Sequence, residues 1–318
     1  MRCGGKGSDL KLTVEVLSDG NPRIGFGHLR RSMTLARDLK RRGHVVSLRS
    51  LSPEGQDLID PSLTQNFSES AAVAVFDMPF NIDALNDNVD THITKYKQKG
   101  IKTVALDYFG ESCPDLVISV HEHIAPKKCG ERISGFEFVI VREDLREDTK
   151  EALREKLGEE LRAIQDVEVG DSVLVAIGGS DQLRQGPGIA EALSLKGIKV
   201  ILVEGPFSEF SNHSGNYEVL RKPKNFTELM RSCRWGVTNG GGTLFEMLYL
   251  GKPVHVVPQT NFEDTIGRLA NKNPGVLGVG IEFLVPYSAH QILCAQGHGK
   301  KLVDGNGTER IMERLERL

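Results

Sequence analysis

Three glycine-rich turns are the parts of this sequence best suited to hold a ligand. Each lies between a strand-like and a helix-like segment, and they read Gly25-Phe26-Gly27-His28, Gly178-Gly179-Ser180-Asp181 and Gly240-Gly241-Gly242-Thr243. Glycine lets the backbone approach a ligand closely, and free N–H groups at a helix start favour an anion. One such turn often has glycine for steric reasons alone, but three from both halves of the chain predict one diphosphate-bearing ligand across a cleft. The candidate diphosphate-binding residues are Gly25, Gly27, Gly179, Ser180, Gly241 and Gly242.

His28 follows the first turn and opens a helix-like segment. The helix dipole there disfavours the protonated imidazole, so the neutral ring could act as a general base near pH 7. The alternative is a structural histidine that donates to a backbone carbonyl or lines the loop. Arg30 and Arg31 either offset ligand phosphate or face water, and solvation is the default interpretation for such cations. The sequence therefore leaves a catalytic and a structural interpretation open.

Thr243 and Glu246 also have two interpretations. Their spacing matches a capping box, in which the threonine accepts from the first helical turn and the glutamate reaches back to the cap N–H. Alternatively, Glu246 lies one turn inside a helix that points at a nucleotide, where its carboxylate could accept two hydrogen bonds from ribose hydroxyls. Both interpretations stay open at this point.

Several other ligand-binding classes lack their motifs. A phosphate-binding P-loop needs Gly-Lys-Ser/Thr, which is absent, and the dinucleotide pattern GxGxxG fails at Arg30. No HExxH motif or cluster of cysteine and histidine indicates a metal site. The run His121-Glu122-His123 follows a predicted strand, and a solvated loop is favoured over a metal site because no third ligand matches it. We therefore expect neither a metal nor a cofactor.

Composition limits the partners of the chain. With 318 residues, 39% hydrophobic and 26% charged, it is typical of a soluble globular protein with two domains. The net charge of -3, from 40 basic and 43 acidic residues, provides no field that would attract nucleic acid or an anionic membrane. Five cysteines without a CxxC pair, and the lack of a signal-like or membrane-spanning apolar run, favour a cytoplasmic protein with a small-molecule ligand.

Alternating apolar and amphipathic segments predict the frame around the turns. In the first half, strands are expected at residues 10–16, 44–51, 71–77, 102–108 and 115–120, with helices at 29–43 and 90–100. A charged helix at about 146–165 has an apolar stripe formed by Leu153, Leu157, Leu161 and Ile164. We place the domain boundary beside that helix, which gives domains at 1–150 and 151–318.

The second half repeats the alternation. Strands are expected at residues 172–177, 199–205, 235–239 and 253–258, with helices near 188–195, 226–234 and 243–251, then a loop at 259–264 and a helix to about Lys272. Strands alternating with helices of this length indicate parallel sheets covered on both faces. The predicted fold class is therefore α/β, with two Rossmann-like domains whose strand ends face a cleft.

Four segments, taken in order, resemble one family of enzymes. They are GFGHLRRSMTLARDLKRRGHVV, VLVAIGGSDQ, NGGGTLFEMLYLGKPVHVVPQTNFED and LVDGNGTERIMERL, and they span about Ile24 to Leu318. Together they resemble the UDP-sugar hydrolases of pseudaminic acid biosynthesis and their spore-coat polysaccharide relatives. Those proteins belong to a wider group with the glycosyltransferase-B fold, which includes the MurG-like transferases.

The resemblance implies roles for individual residues. His28 would activate water against the anomeric carbon of a UDP-linked sugar and release UDP without a metal. Gly241, Gly242, Thr243 and Glu246 would hold the diphosphate and ribose, and Asn261 matches the asparagine of a family Asn-Gln motif near the nucleotide. A glycosyltransferase on the same scaffold and a nucleotide-sugar-binding protein without catalysis are the alternatives.

The chain departs from the family pattern at three places. Phe262 stands where the family has glutamine, FDMP at 76–79 replaces Asp-Ser-Tyr, and LDYFG at 106–110 replaces an Asp-Asp pair. The segments at 76–79 and 106–110 belong to the half expected to face the sugar. The resemblance therefore covers the nucleotide side of the cleft, and two of the three departures fall on the sugar side.

Overall fold

The computed structural model describes residues 11–64, 71–78, 89–121, 130–146, 171–179, 181–205, 208 and 215–318. Within these residues the strands form two six-stranded sheets, called here the N-terminal sheet and the C-terminal sheet. All strand pairings in both sheets are parallel. The predicted α/β fold with parallel sheets is confirmed.

The N-terminal sheet has the spatial strand order β2-β1-β3-β4-β5-β6. Its strands are β1 (Thr13–Ser18), β2 (Val45–Ser50), β3 (Val73–Asp77), β4 (Lys102–Leu106), β5 (Leu116–Ser119) and β6 (Glu131–Ser134). Its helices are α1 (Gly27–Arg41), α2 (Pro53–Gln56) and α3 (Val89–Gln98). Helix α1 buries Leu29, Met33, Ala36 and Leu39 against this sheet, as its three- and four-residue apolar spacing predicts.

The C-terminal sheet has the spatial strand order β12-β11-β10-β7-β8-β9. Its strands are β7 (Val173–Ala176), β8 (Val200–Glu204), β9 (Glu218–Arg221), β10 (Trp235–Thr238), β11 (Val254–Val256) and β12 (Val276–Val279). The described helices of this half are α4 (Gln185–Ser194), α5 (Phe226–Ser232), α6 (Gly242–Tyr249), α7 (Asn261–Ala270), α8 (Ala289–Ala295) and α9 (Gly307–Leu315). Helix α7 begins at Asn261, so the loop predicted over 259–264 is shorter than expected.

The last helix of the chain, α9, packs on the N-terminal sheet. Ile311, Met312 and Leu315 of α9 belong to the same buried cluster as Val14 of β1 and Leu39 of α1. The core of the C-terminal sheet in turn includes three residues from the end of the first half, Val139, Val141 and Leu145. Each sheet is therefore completed by a segment from the other half of the chain, which ties the two halves together.

The predicted domain boundary near residue 150 and almost all of the predicted helix at 146–165 fall outside the described residues. Both stay predictions. In the described part of the chain, no helix combines the length and the apolar character needed to cross a membrane.

Candidate active site

The strand order reverses at one place in each sheet, and the candidate residues lie at those two places. In the N-terminal sheet the reversal is between β1 and β3, and in the C-terminal sheet it is between β7 and β10. Ligands of open parallel sheets bind beyond the carboxyl ends of the strands at such points. The three glycine turns and His28 all follow β1, β7 or β10. We call the region where these strand ends meet the cleft.

His28 is hydrogen-bonded to an aspartate that ends strand β3. Its Nδ1 lies 2.8 Å from Oδ1 of Asp77, whose side chain is fully buried, whereas the His28 side chain is 28% exposed. An ionised carboxylate only accepts hydrogen bonds, so the contact assigns the proton to Nδ1 and leaves Nε2 as an acceptor. His28 and Asp77 therefore form a dyad with the arrangement of a general base and its orienting carboxylate.

Arg31 holds the dyad and links it to the next strand. Its Nε and Nη2 donate to Asp77 at 2.7 and 2.5 Å, and its Nη1 donates to Asp107 at 2.6 Å. Ser32 Oγ adds a further hydrogen bond to Asp77 at 2.9 Å. These contacts fix the carboxylate from several directions, so the imidazole of His28 is oriented by a rigid partner.

The charges of this network keep Asp77 ionised. Burial alone raises the pKa of Asp77, but Arg31 and His28 lower it more, and the net pKa lies well below the usual value. Burial lowers the pKa of Arg31, but Asp77 and Asp107 outweigh it and raise that pKa above its usual value. The default interpretation of Arg31 as a solvated cation is therefore wrong, because it lies between two carboxylates.

Asp77 and Asp107 were not among the candidate residues found in the sequence. Both belong to the segments that differ from the pattern of the resembled family, FDMP and LDYFG. Each aspartate stands at the carboxyl end of one of two adjacent parallel strands, β3 and β4. An acidic residue at the ends of neighbouring buried strands was the signal that could have identified them.

The structure brings the three glycine turns together. A Cβ atom on Gly179 would lie 2.8 Å from the backbone nitrogen of Phe26, so the second turn packs directly against the first. The Gln182 side chain also donates to the carbonyl of Arg23. The second and third turns share the side chain of Asn239, whose Nδ2 would be 2.9 Å from a Cβ on Gly178 and 3.1 Å from one on Gly241. The predicted convergence of turns from both halves is therefore present.

The predicted glycines play different parts in these turns. Gly25 has a φ of +76°, a left-handed conformation that glycine adopts most readily. Gly27 and Gly242 are the first residues of α1 and α6, and a Cβ at either would meet no atom within 4 Å among the described residues. Neither helix start has a side-chain cap, so each has backbone N–H groups that an anion could bind. Ser180 lies outside the described residues.

The start of α7 is fastened to the third turn. Glu263 accepts from Asn239 Nδ2 at 2.6 Å and from the N–H of Gln259 at 2.7 Å, and its burial raises its pKa. Asn261 is the exposed first residue of α7, two positions before this half-buried glutamate. The predicted site residue Asn261 is therefore held beside the third glycine turn.

Thr243 and Glu246 do not form a capping box. Helix α6 begins at Gly242 with Gly241 as its N-cap and without a side-chain cap. Glu246 is instead buried, with Oε1 3.2 Å from Nε of Arg142. Its Oε2 is also buried and has no hydrogen-bond partner among the described residues. Since a buried carboxylate oxygen without a partner is costly, this atom is suited to accept from a ligand hydroxyl.

Two arginines flank Glu246 and share an aromatic surface. The guanidinium of Arg142 lies 5.5 Å from the ring centre of Phe226, and that of Arg30 lies 6.0 Å from the same ring and 5.7 Å from Phe26. Burial lowers the pKa of Arg30, and the carboxylate of Glu246 opposes that shift. Arg30 is on α1, so the first turn of the helix that carries His28 reaches toward the glutamate of the other half.

Three aromatic side chains from the two halves of the chain form a cluster. The ring of Phe262 at the start of α7 is centred 5.7 Å from that of Phe109 and 5.4 Å from that of His121. His121 is 5% exposed, so the expectation of a solvated histidine loop is wrong at this residue. The other two residues of the run, at 122–123, lie outside the described residues.

Within the described residues, no three His, Cys, Asp or Glu side chains are grouped to hold a metal ion.

No protein-family model matches the chain. A curated relative, an uncharacterized protein of Methanocaldococcus jannaschii, is 23% identical over 284 residues, which are 79% of this chain and 57% of that protein. The chain thus spans little more than half of the length of this relative.

Several solved structures share the architecture at low sequence identity. MurG of Acinetobacter baumannii has a TM-score of 0.61 and 10% identity, over 96% of this chain and 100% of that one. The UDP-GlcNAc 2-epimerase from Neisseria meningitidis bound to UDP-GlcNAc has a TM-score of 0.60 and 10% identity over the same shares. A glycotransferase of kitacinnamycin has a TM-score of 0.59 and 13% identity, over 96% of this chain and 99% of that one. The chain therefore has the predicted glycosyltransferase-B fold, with two parallel α/β sheets.

Proposed function

We propose that the chain is a nucleotide-sugar hydrolase that releases UDP from a UDP-linked amino-deoxy sugar. A role in nonulosonic acid or surface polysaccharide biosynthesis follows from the family resemblance. The observation that carries the proposal is the dyad of His28 and Asp77, which lies at the strand reversal of one sheet and beside glycine turns from both. A ligand whose diphosphate is held by those turns would place its anomeric carbon near the dyad.

The dyad can supply the proton transfer that hydrolysis needs. His28 keeps its Nδ1 proton, which is hydrogen-bonded to Asp77, and takes a proton from water on Nε2 as the water oxygen attacks the anomeric carbon. The bond between that carbon and the phosphate oxygen breaks, and UDP leaves with the bonding electrons. The free sugar is a hemiacetal, and His28 returns its proton to solvent. The ionised Asp77 stabilises the imidazolium that forms in between.

The C-terminal half would hold the nucleotide. The helix start at Gly241, Gly242 and Thr243 offers backbone N–H groups to the diphosphate. The buried Oε2 of Glu246 could accept from a ribose hydroxyl, and its failure to pair with a described residue supports that role. Asn261 borders the same turn and is the remaining candidate for a nucleotide contact. The family resemblance implies that no metal is needed at the diphosphate.

The experiment is an end-product assay with the purified chain and a panel of UDP-sugars without any added acceptor. Hydrolysis predicts equal amounts of UDP and free reducing sugar, with the bond broken at the sugar carbon, so water labelled with ¹⁸O leaves no label in the phosphate of UDP. Label in the phosphate would mean attack at phosphorus and would contradict the role of the dyad.

A glycosyltransferase is the second candidate, because the structural neighbours include MurG and a glycotransferase. In that case His28 would take its proton from an acceptor hydroxyl instead of water. UDP release that depends on an added acceptor would favour transfer over hydrolysis. A binding protein without catalysis would instead be stabilised by UDP-sugars in a thermal-shift assay and turn none of them over.

A further inference from the structure

Two departures from the family pattern form one structural feature. Phe262 replaces the family glutamine, and Phe109 belongs to the divergent segment LDYFG. Their rings meet, with centres 5.7 Å apart and planes inclined by 56°, and His121 contacts the same Phe262 ring at 5.4 Å. We call Phe109, His121 and Phe262 the aromatic cluster. Phe109 follows β4 and His121 follows β5 of the N-terminal sheet, whereas Phe262 is in the first turn of α7 from the other half of the chain.

The N-terminal side of the aromatic cluster is attached to the dyad network. Asp107, which accepts from Arg31, is two residues before Phe109. The other oxygen of Asp107 accepts from the N–H of Val120 at 2.9 Å, and Val120 directly precedes His121. The backbone segments that carry Phe109 and His121 therefore both adjoin the carboxylate that Arg31 joins to Asp77.

The C-terminal side of the aromatic cluster is attached to the third glycine turn. Phe262 directly precedes Glu263, which binds Asn239. A Cβ on Gly240 would lie 2.3 Å from the Glu263 carbonyl oxygen, so this part of α7 packs tightly on the turn. The aromatic cluster is thus attached on one side to the turn suited to the diphosphate and on the other to the network that holds His28. The sugar ring of a bound nucleotide sugar would lie next to both of these elements.

The chemistry of the rings limits what they can contact. A phenylalanine ring offers no hydrogen-bond donor or conventional acceptor, so a ligand hydroxyl buried against it exchanges water for no partner. An apolar substituent in the same place loses nothing and buries its surface. Phe262 is 36% exposed, so part of its ring remains accessible to a ligand, whereas His121, whose ring packs against it, is largely buried.

We propose that Phe262, supported by Phe109 and His121, determines sugar selectivity by favouring a sugar with an apolar substituent, such as a deoxy carbon, where the ring faces it. A sugar with a hydroxyl at that position is disfavoured. The inference rests on the proposed function, because it takes the ligand to be a nucleotide sugar. Apolar sites discriminate against an added hydroxyl by roughly 10- to 100-fold, which is the size of effect expected here.

The experiment measures binding by calorimetry on the full chain with His28→Asn, so that no ligand is consumed. The probes are UDP, UDP-glucose and the four UDP-glucose derivatives that each lack one hydroxyl, at C2, C3, C4 or C6. At least one derivative should bind about tenfold or more tightly than UDP-glucose. Adding Phe262→Gln should reduce that preference to within about threefold, and adding Phe262→Leu should keep most of it.

The matched control is Phe283→Gln, which makes the same chemical change at an exposed ring beyond the edge strand β12. It should leave every preference unchanged, and UDP alone should bind equally to all variants. The inference is overturned if UDP-glucose and all its deoxy derivatives bind equally, or if the preference survives Phe262→Gln. The proposed function is not affected by either result as long as UDP binds. Failure of UDP itself to bind overturns the proposed function and the inference with it.

Discussion

Replacing Asp77 with asparagine separates orientation of His28 from the other properties of the site. The asparagine side chain would retain an oxygen at nearly the same position but lose the negative charge that faces His28 and Arg31. The amide can also turn its NH₂ group toward the imidazole and favour the wrong tautomer, with the proton on Nε2. We expect the turnover rate for UDP release to fall on the order of 10²- to 10⁴-fold.

The same substitution should cost stability by an amount that follows from the geometry. Asp77 is fully buried and receives two hydrogen bonds from Arg31. Removing one partner of a buried ion pair costs about 3–5 kcal/mol, and the remaining contact of Arg31 with Asp107 places the expectation near the lower end, about 3 kcal/mol. The pKa of Asp77 is lowered in the folded state, so its ion pair with Arg31 stabilises the fold fully at pH values above the unfolded pKa of about 3.9. This contribution to the unfolding free energy is lost as the pH falls below that value.

Asp107→Asn is the matched control, because it removes a charge from the same arginine without touching His28. Its amide oxygen can still accept from the N–H of Val120. We expect a measurable loss of stability in denaturant unfolding but a turnover rate within about tenfold of the wild-type value. If Asp107→Asn slows turnover as much as Asp77→Asn, or if folded Asp77→Asn turns over at the wild-type rate, orientation of His28 by Asp77 is refuted.

Three further predictions concern other parts of the molecule. Glu246→Gln should weaken UDP binding and abolish any preference for UDP over 2′-deoxy-UDP in calorimetry; an unchanged preference would remove Glu246 from the ribose site. His255 accepts on Nδ1 from Tyr287 at 2.6 Å and donates from Nε2 to a carbonyl at 2.9 Å. Burial lowers the pKa of His255 in the folded state, so the unfolding free energy should decline as the pH falls below the pKa of about 6.5 that histidine has in the unfolded chain. In urea titrations at several pH values, His255→Gln should reduce this dependence of the unfolding free energy on pH. Ile311→Ala should cost about 2–5 kcal/mol, because α9 completes the core of the N-terminal sheet; a loss below about 1 kcal/mol would contradict that packing.

Much of the fold could be predicted from the sequence because its central strands are buried on both faces. Strands such as β3 and β4 are short apolar runs between helices, which is the usual pattern of a parallel sheet. The three strands that the sequence did not indicate, β6, β9 and β12, are all at sheet edges. β6 and β9 have charged residues and partial exposure, as in Glu131–Ser134 and Glu218–Arg221, so they lack an apolar run.

The candidate site was predictable where its residues are close in sequence and not where they are distant. The glycine turns and His28 share short segments with recognisable spacing. The carboxylates that complete the site are distant in sequence. Asp77 is 49 positions from His28, and Asp107 is 76 positions from Arg31. Only the parallel order of β1, β3 and β4 places these side chains together. The capping box at Thr243 and Glu246 failed for a related reason, because burial against Arg142 decided the orientation of Glu246.

The rate of UDP release by His28→Asn, compared with the wild-type chain on the same UDP-sugar without an acceptor, tests the central claim most directly. Asparagine can still donate to Asp77 but has no basic nitrogen, and the nucleotide contacts proposed for Glu246 and the α6 helix start are unaffected. We predict that UDP binding stays within about twofold and that release slows on the order of 10²- to 10⁴-fold. Release at the wild-type rate by this variant would contradict the assignment of His28 as the base.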